Sequence, residues 1–137
     1  VLQAFSNINW LAVAIASVVS IGLGGLWFGL VAAKQYVRVL GREGQPAPQQ
    51  RTVDAVGPLV CIVVVVLTSA VLVAALQLST ATDAVVFGLV VGIGYLLAMT
   101  FQIAINPNFP HPLRYGALNA PYFLTTSLVT SLALVLI

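Results

Sequence analysis

Residues 55–78 read AVGPLVCIVVVVLTSAVLVAALQL, twenty-four positions without one charged side chain. A helix needs about 20 consecutive apolar residues to cross a hydrocarbon core of about 30 Å, so this stretch is long enough by itself. Its run at 62–67, IVVVVL, lacks the polar–apolar alternation that a strand of a membrane β-barrel shows. A helix also satisfies its own backbone hydrogen bonds, which lipid, having no water, cannot do for it. Working outward, three further stretches at 8–33, 84–105 and 115–137 are equally free of charge. The predicted fold is all-α: a polytopic membrane protein, one antiparallel four-transmembrane-helix bundle spanning residues 1–137.

Composition points the same way. Of 137 residues, 61% are apolar and 6% charged, whereas a soluble domain carries about 25% charge. So few charges cannot hydrate the surface of a water-facing globule, and a chain this apolar is not disordered. The lone Cys61 has no second cysteine to pair with. No basic segment precedes the first apolar stretch, so a cleavable signal peptide is not expected.

The connections differ in kind. Residues 34–54 are hydrophilic and rich in Gly, Pro and Gln, and read as a mobile loop. The link at 77–83 is short enough to make helices two and three antiparallel neighbours, with Thr82 or Asp83 as N-cap of helix three. The link at 106–114 holds Pro107, Pro110 and Pro112, which stop one helix and start the next. Lys34, Arg38, Arg42 and Arg51 lie in or beside the first loop and Arg114 in the third, while the opposite face has no Lys or Arg. That asymmetry predicts loops 34–54 and 106–114 in the cytoplasm and both termini outside, in the cell (inner or plasma) membrane. Phe5 and Trp10 are expected at the outer interface, and Tyr36, Phe109 and Tyr115 at the inner one.

Small residues recur at helical spacing: Ser20, Gly24, Gly25 and Gly29 in the first helix, Gly88 and Gly92 in the third. They let helix backbones approach closely where lipid supplies no hydrophobic drive for association. The partner is either another helix of the bundle or a second subunit. Gly88, Gly92, Tyr95, Met99, Gln102 and Asn106 follow at intervals of four and three, which predicts one face of helix three. An unpaired amide in hydrocarbon costs several kcal/mol, so Gln102 is read as making an interhelical hydrogen bond or lining a polar cavity. On helix four, Asn119, Tyr122, Thr126 and Thr130 share a face. Tyr95, Gln102, Asn106, Asn119, Tyr122 and Thr126 are therefore the candidate polar lining or interhelical contacts. Pro121 either belongs to a first turn or kinks a helix begun near Pro112, and a kink would free a carbonyl near residue 117 for a neighbour's amide. His111 reads as a solvated loop histidine, with titration or metal binding as the alternative.

Two of these stretches look familiar. Asn9-Trp10-Leu11-Ala12-Val13, then Gly24-Gly25-Leu26-Trp27-Phe28-Gly29 and Lys34, resemble the opening of a bacterial family of small membrane proteins catalogued as domain of unknown function 1761. Leu118-Asn119-Ala120-Pro121-Tyr122-Phe123-Leu124 resembles that family's fourth-helix signature, with Pro121 where a glycine is expected. The resemblance covers nearly the whole chain outside the Pro/Gln loop. It implies a four-helix membrane protein and no established activity.

Catalysis finds no support in the residues. There is no HExxH, no Ser/His/Asp set and no phosphate-cradling glycine loop, so no enzyme, cofactor or metal is expected. The acids Glu43, Asp54 and Asp83 sit in loops, which leaves no ionisable group at membrane depth for proton coupling. Two classes remain. One is a structural or accessory subunit whose partners are the bilayer and either copies of itself as a homo-oligomer or a larger membrane complex, with no nucleic acid. The other is a channel or facilitator for a neutral or lipid-like solute. A single four-helix unit offers little room for a pore, so such a path is expected between subunits.

Overall fold

A computed structural model describes residues 2–137, and among these the regular structure is entirely helical. A short 3-10 turn at Leu2–Asn7 leads into α1 (Trp10–Val31), a short α2 (Ala33–Val39), then α3 (Thr52–Leu76), α4 (Ala81–Ala104) and α5 (Pro112–Leu136). Helices α1, α3, α4 and α5 are each long and apolar enough to cross a membrane. The chain is a multi-pass membrane protein.

The helices start earlier than the charge gaps suggest, at Thr52, Ala81 and Pro112 in place of 55, 84 and 115. The first turn of a helix has N–H groups with no helical partner, and carboxylates are favoured there. Asp54 accepts from the Arg51 backbone N–H at 3.0 Å and from its guanidinium at 2.9 Å. At α4 the N-cap is Thr80, upstream of the two residues expected for that role. Its hydroxyl accepts from the Asp83 N–H at 3.1 Å while Asp83 accepts from the Thr80 N–H at 3.0 Å, a reciprocal box that satisfies two orphan donors. Pro112 opens α5, where its missing N–H costs nothing. Asn9 caps α1, accepting from the N–H groups of Leu11 and Ala12.

The expected loop at 34–54 is partly helix. The last turn of α1, Trp27–Val31, is wound as a π-helix and Ala32 (φ −100°, ψ 0°) breaks the run, after which α2 forms. Helix α2 buries Val39 and packs on α5. Gly41 (φ +67°) lies against Pro110, so the first and third loops meet at one end of the molecule. That is the end carrying all five basic residues, called the basic end below.

Helix α5 is the least apolar span and the most buried. It packs on α1, α3 and α4 alike, with Asn119, Tyr122, Thr126, Ser127, Thr130 and Ser131 turned inward. Lipid reverses the arrangement of a soluble bundle: the polar stripe goes to the protein interior, where hydroxyls find partners. Ser127 donates to the Gly88 carbonyl at 2.8 Å, and Ser20 and Thr130 share a hydrogen bond of 3.2 Å. Thr126 turns back to the Tyr122 carbonyl of its own helix at 2.8 Å.

Helix α3 is attached differently. No side-chain hydrogen bond ties it to another span among the described residues, and it is held by an apolar cluster of Val66 and Ala70 with Ile8, Val13 and Ala16. Its buried residues all lie in its second half. Helices α3 and α4 do not pack along their lengths despite the short link between them. The neighbour expectation fails because a short link fixes direction but not contact. Gln77, in the left-handed region at φ 55°, ends α3, and α4 then packs on α5.

Candidate functional site

The half of α3 that leaves the bundle exposes a cleft of about 750 Å³, within the 300–1,000 Å³ range typical of pockets for drug-sized ligands. It runs from Gln50 and Asp54 at the basic end to Ser20, Ser69 and Thr130 at depth. One wall is α3, through Pro58, Leu59, Cys61, Ile62 and Val65; α1 contributes Ile21, Gly24 and Gly25, and α4 contributes Val91 and Leu96. Both π-helical turns border it, through Phe28 of Trp27–Val31 and Leu96 of Gly92–Leu97. Such one-turn widenings of an α-helix recur at functional sites.

The polar groups along the cleft are uncharged apart from Asp54, whose carboxylate is engaged by Arg51. Asn119 donates to the Tyr115 carbonyl at 2.7 Å, and its side-chain oxygen has no hydrogen-bond partner among the described residues. Tyr122 is buried, and its hydroxyl has no hydrogen-bond partner among the described residues. Gly24 makes room for that phenol: a Cβ there would stand 3.1 Å from the Tyr122 oxygen. Burial, and then the Tyr115 hydroxyl 3.5 Å away, push the Tyr36 phenol above the ordinary tyrosine range. Tyr36 at the cleft mouth is thus a neutral hydroxyl throughout the physiological range.

An aromatic chain links the loops to this site. Phe109 meets Tyr115 at 4.9 Å between centroids, Tyr115 meets Tyr36 at 5.9 Å, Tyr36 meets Phe28 at 5.5 Å, and Phe28 meets Tyr122 at 5.0 Å. Most contacts are edge-on, the geometry ring quadrupoles favour. Tyr36, Phe109 and Tyr115 read from the sequence as separate interfacial anchors. Their joining was hidden because it depends on α2, which the sequence reading left as loop.

Pro121 sits inside α5, nine residues after Pro112 opens the helix. The indole N–H of Trp27 donates to the Leu118 carbonyl at 3.1 Å, beside the position the proline disturbs. The donor is thus an indole and the acceptor lies one residue from the expected 117. Trp27→Phe is expected to destabilise the protein by about 1 kcal/mol, the worth of a hydrogen bond between membrane helices. In a Pro121→Ala background the same change is expected to cost less, read as a positive coupling in a double-mutant cycle of thermal unfolding.

The candidate residues divide cleanly by location. Asn119, Tyr122 and Thr126 line the cleft together with Ser20, Gly24 and Gly25. Gly88 and Gly92 are packed against α5: Cβ atoms there would press on Ser131 and Leu128, and on Ser127 and Leu124. Gly29 has open space around it. Tyr95, Met99 and Gln102 are exposed, and Gln102 neither lines the cleft nor bonds to another helix. The cause is the π-turn at Gly92–Leu97, whose extra residue rotates the face, so that Ala104 rather than Gln102 follows Gly92 inward. Asn106 closes the turn after α4, accepting from the Asn108 N–H at 2.8 Å and donating to the Ile103 carbonyl. His111 is exposed at the start of α5. The sequence reading missed Ser69, Ser127 and the α3 wall. Ser127 was legible beside Thr126 and Thr130, but nothing in α3 marks which face borders a cavity. The cleft is lined by residues of a single protomer.

No curated protein and no solved structure matches this chain. The family described as protein of unknown function (DUF1761) matches residues 11–135, a stretch holding all four spans except the first residue of α1 and the last of α5. The Gly24–Trp27 and Asn119–Tyr122 neighbourhoods that carry the likeness meet where α1 packs on α5: Gly24 lies against Tyr122, both lining the cleft, and Trp27 reaches Leu118. The chain belongs to the DUF1761 family.

Proposed function

We propose that the protein holds an uncharged small molecule in this cleft, as a binding subunit or facilitator in the membrane rather than as an enzyme. One feature carries the reading: a cavity of about 750 Å³ within a single protomer, carrying an unpartnered tyrosine hydroxyl and an amide oxygen free to accept. A charged ligand held at the depth of Asn119 and Tyr122 meets no countercharge, since the lining has no Lys or Arg and its one carboxylate, Asp54, is engaged by Arg51, and burying an unpaired charge is costly. The basic end faces the cytoplasm in this proposal, supported by the five basic residues all lying there.

A second reading, self-association through α1, is supported by Gly22 and Gly29, around which nothing lies within 4 Å. One experiment addresses both. Native mass spectrometry of protein extracted in mild detergent is expected to show one adduct per protomer, and Tyr122→Phe is expected to lower its occupancy several-fold. Protein that stays free of ligand after incubation with total membrane extract would overturn the binding reading. Oligomer peaks lost in Gly22→Leu/Gly29→Leu support the second reading, and a monomer throughout removes it.

A further inference from the structure

We infer that the ligand is an amphiphile, one apolar chain bearing an uncharged hydrogen-bonding head, and that it enters sideways from the bilayer between α3 and α4. This rests on the binding reading above and adds the ligand's class and route.

The route follows from the packing. Helices α3 and α4 leave each other unpacked, yet Leu59 and Val65 of α3 and Val91 and Leu96 of α4 line the same cleft. Leu59 is 42% exposed and Val65 is 37% exposed while lining it, and both lie well inside the α3 span. The cavity is therefore continuous with the surroundings at membrane depth, where the surroundings are acyl chains. Water-soluble solutes would have to pass through lipid to use that opening.

The head group follows from the hydrogen bonds. Tyr122 can donate to a ligand oxygen, and the free Asn119 oxygen can accept from a ligand O–H or N–H, so a hydroxyl or an amide satisfies both. Ser69, buried on α3, makes no hydrogen bond to another span among the described residues and lines the same space. The tail follows from the walls, since Ile21, Leu59, Ile62, Val65, Val91 and Leu96 offer only apolar surface. No Lys or Arg is among the residues lining the cleft, so a carboxylate or phosphate head seated at Tyr122 and Asn119 meets no cation there.

Cys61 makes this testable without engineering. It is the protein's one cysteine, it is exposed, and it lines the cleft on the α3 wall. The full chain in phosphatidylcholine liposomes is treated with N-ethylmaleimide or with a sulfonated, membrane-impermeant maleimide. The additions compared are monoolein, oleate, glycerol and octadecene. Cys61 is expected to react with the permeant reagent at least tenfold faster than with the charged one. Monoolein alone is expected to slow that reaction, by about tenfold, and Tyr122→Phe to remove most of the protection, as loss of one ligand hydrogen bond implies. Protection by oleate or octadecene equal to that by monoolein would overturn the uncharged-head assignment. Protection by glycerol alone would overturn the amphiphile while leaving a small-molecule site intact. Equal labelling by both maleimides would overturn sideways entry only. Absence of any protection, together with a ligand-free native mass spectrum, would remove the binding reading as well.

Discussion

Gly88→Leu is expected to abolish the monodisperse protein on size exclusion and to lower the melting temperature by on the order of 10 °C or more. A Cβ at residue 88 would stand 3.0 Å from the Leu128 Cα and closer still to the Ser131 hydroxyl. The Leu128 atom is backbone and cannot swing aside, so α4 and α5 must separate. Separation breaks the Ser127 hydrogen bond to the Gly88 carbonyl and opens the most extensive helix pairing in the molecule. Overpacking alone costs about 1–3 kcal/mol, and the lost interhelical bond adds about 1 kcal/mol. Gly88→Ala combined with Ser131→Ala is expected to recover part of the loss, because the hydroxyl is the nearer of the two obstacles. A Gly88→Leu protein with unchanged melting would show that α4 and α5 do not meet there.

Gly25→Leu is the opposite experiment. Nothing lies within 4 Å of a Cβ at residue 25, and the residue lines the cleft. Leucine there enters empty space and replaces a poor helix former by a good one, a gain of about 0.8 kcal/mol in aqueous helices. The variant is expected to melt within a few degrees of the parent and to lose at least tenfold in ligand occupancy by native mass spectrometry. Two glycine-to-leucine changes, one in each of two helices, thus separate the packing surface from the binding surface. Unaltered occupancy in Gly25→Leu would place the ligand elsewhere.

The four spans were legible because charge gaps and helix length answer directly to bilayer thickness. So was the inward stripe of α5 at Asn119, Tyr122, Thr126 and Thr130, since α5 is regular enough at those positions for spacing to hold. Pro121 lies inside α5 rather than in its first turn, and the carbonyl that Trp27 reaches, Leu118, is one residue from the position its missing N–H leaves without a helical donor. The stripe on α4 failed past Gly92 because the π-turn is a tertiary adjustment, stabilised against α5 and without a signature in residue types. The cleft was out of reach for a related reason. It exists because α3 is held at one half and not the other, and a uniformly apolar helix does not announce which half has a protein neighbour. The Thr80 and Arg51 helix starts lay ahead of the apolar runs, where polar residues serve the backbone and apolar counting is blind.

The centrality of α5 bears on how the molecule is made. As the least apolar span, it gains least from partitioning into lipid alone, and its hydroxyl stripe is best tolerated once partners can receive it. It also follows α1, α3 and α4 in chain order. By the time it leaves the ribosome, α1 and α4 are already in the bilayer with Ser20 and the Gly88 carbonyl waiting. Synthesis order thus supplies the hydrogen-bond partners before the α5 hydroxyls arrive, and moving α5 to the front of the chain would deprive its insertion of that help.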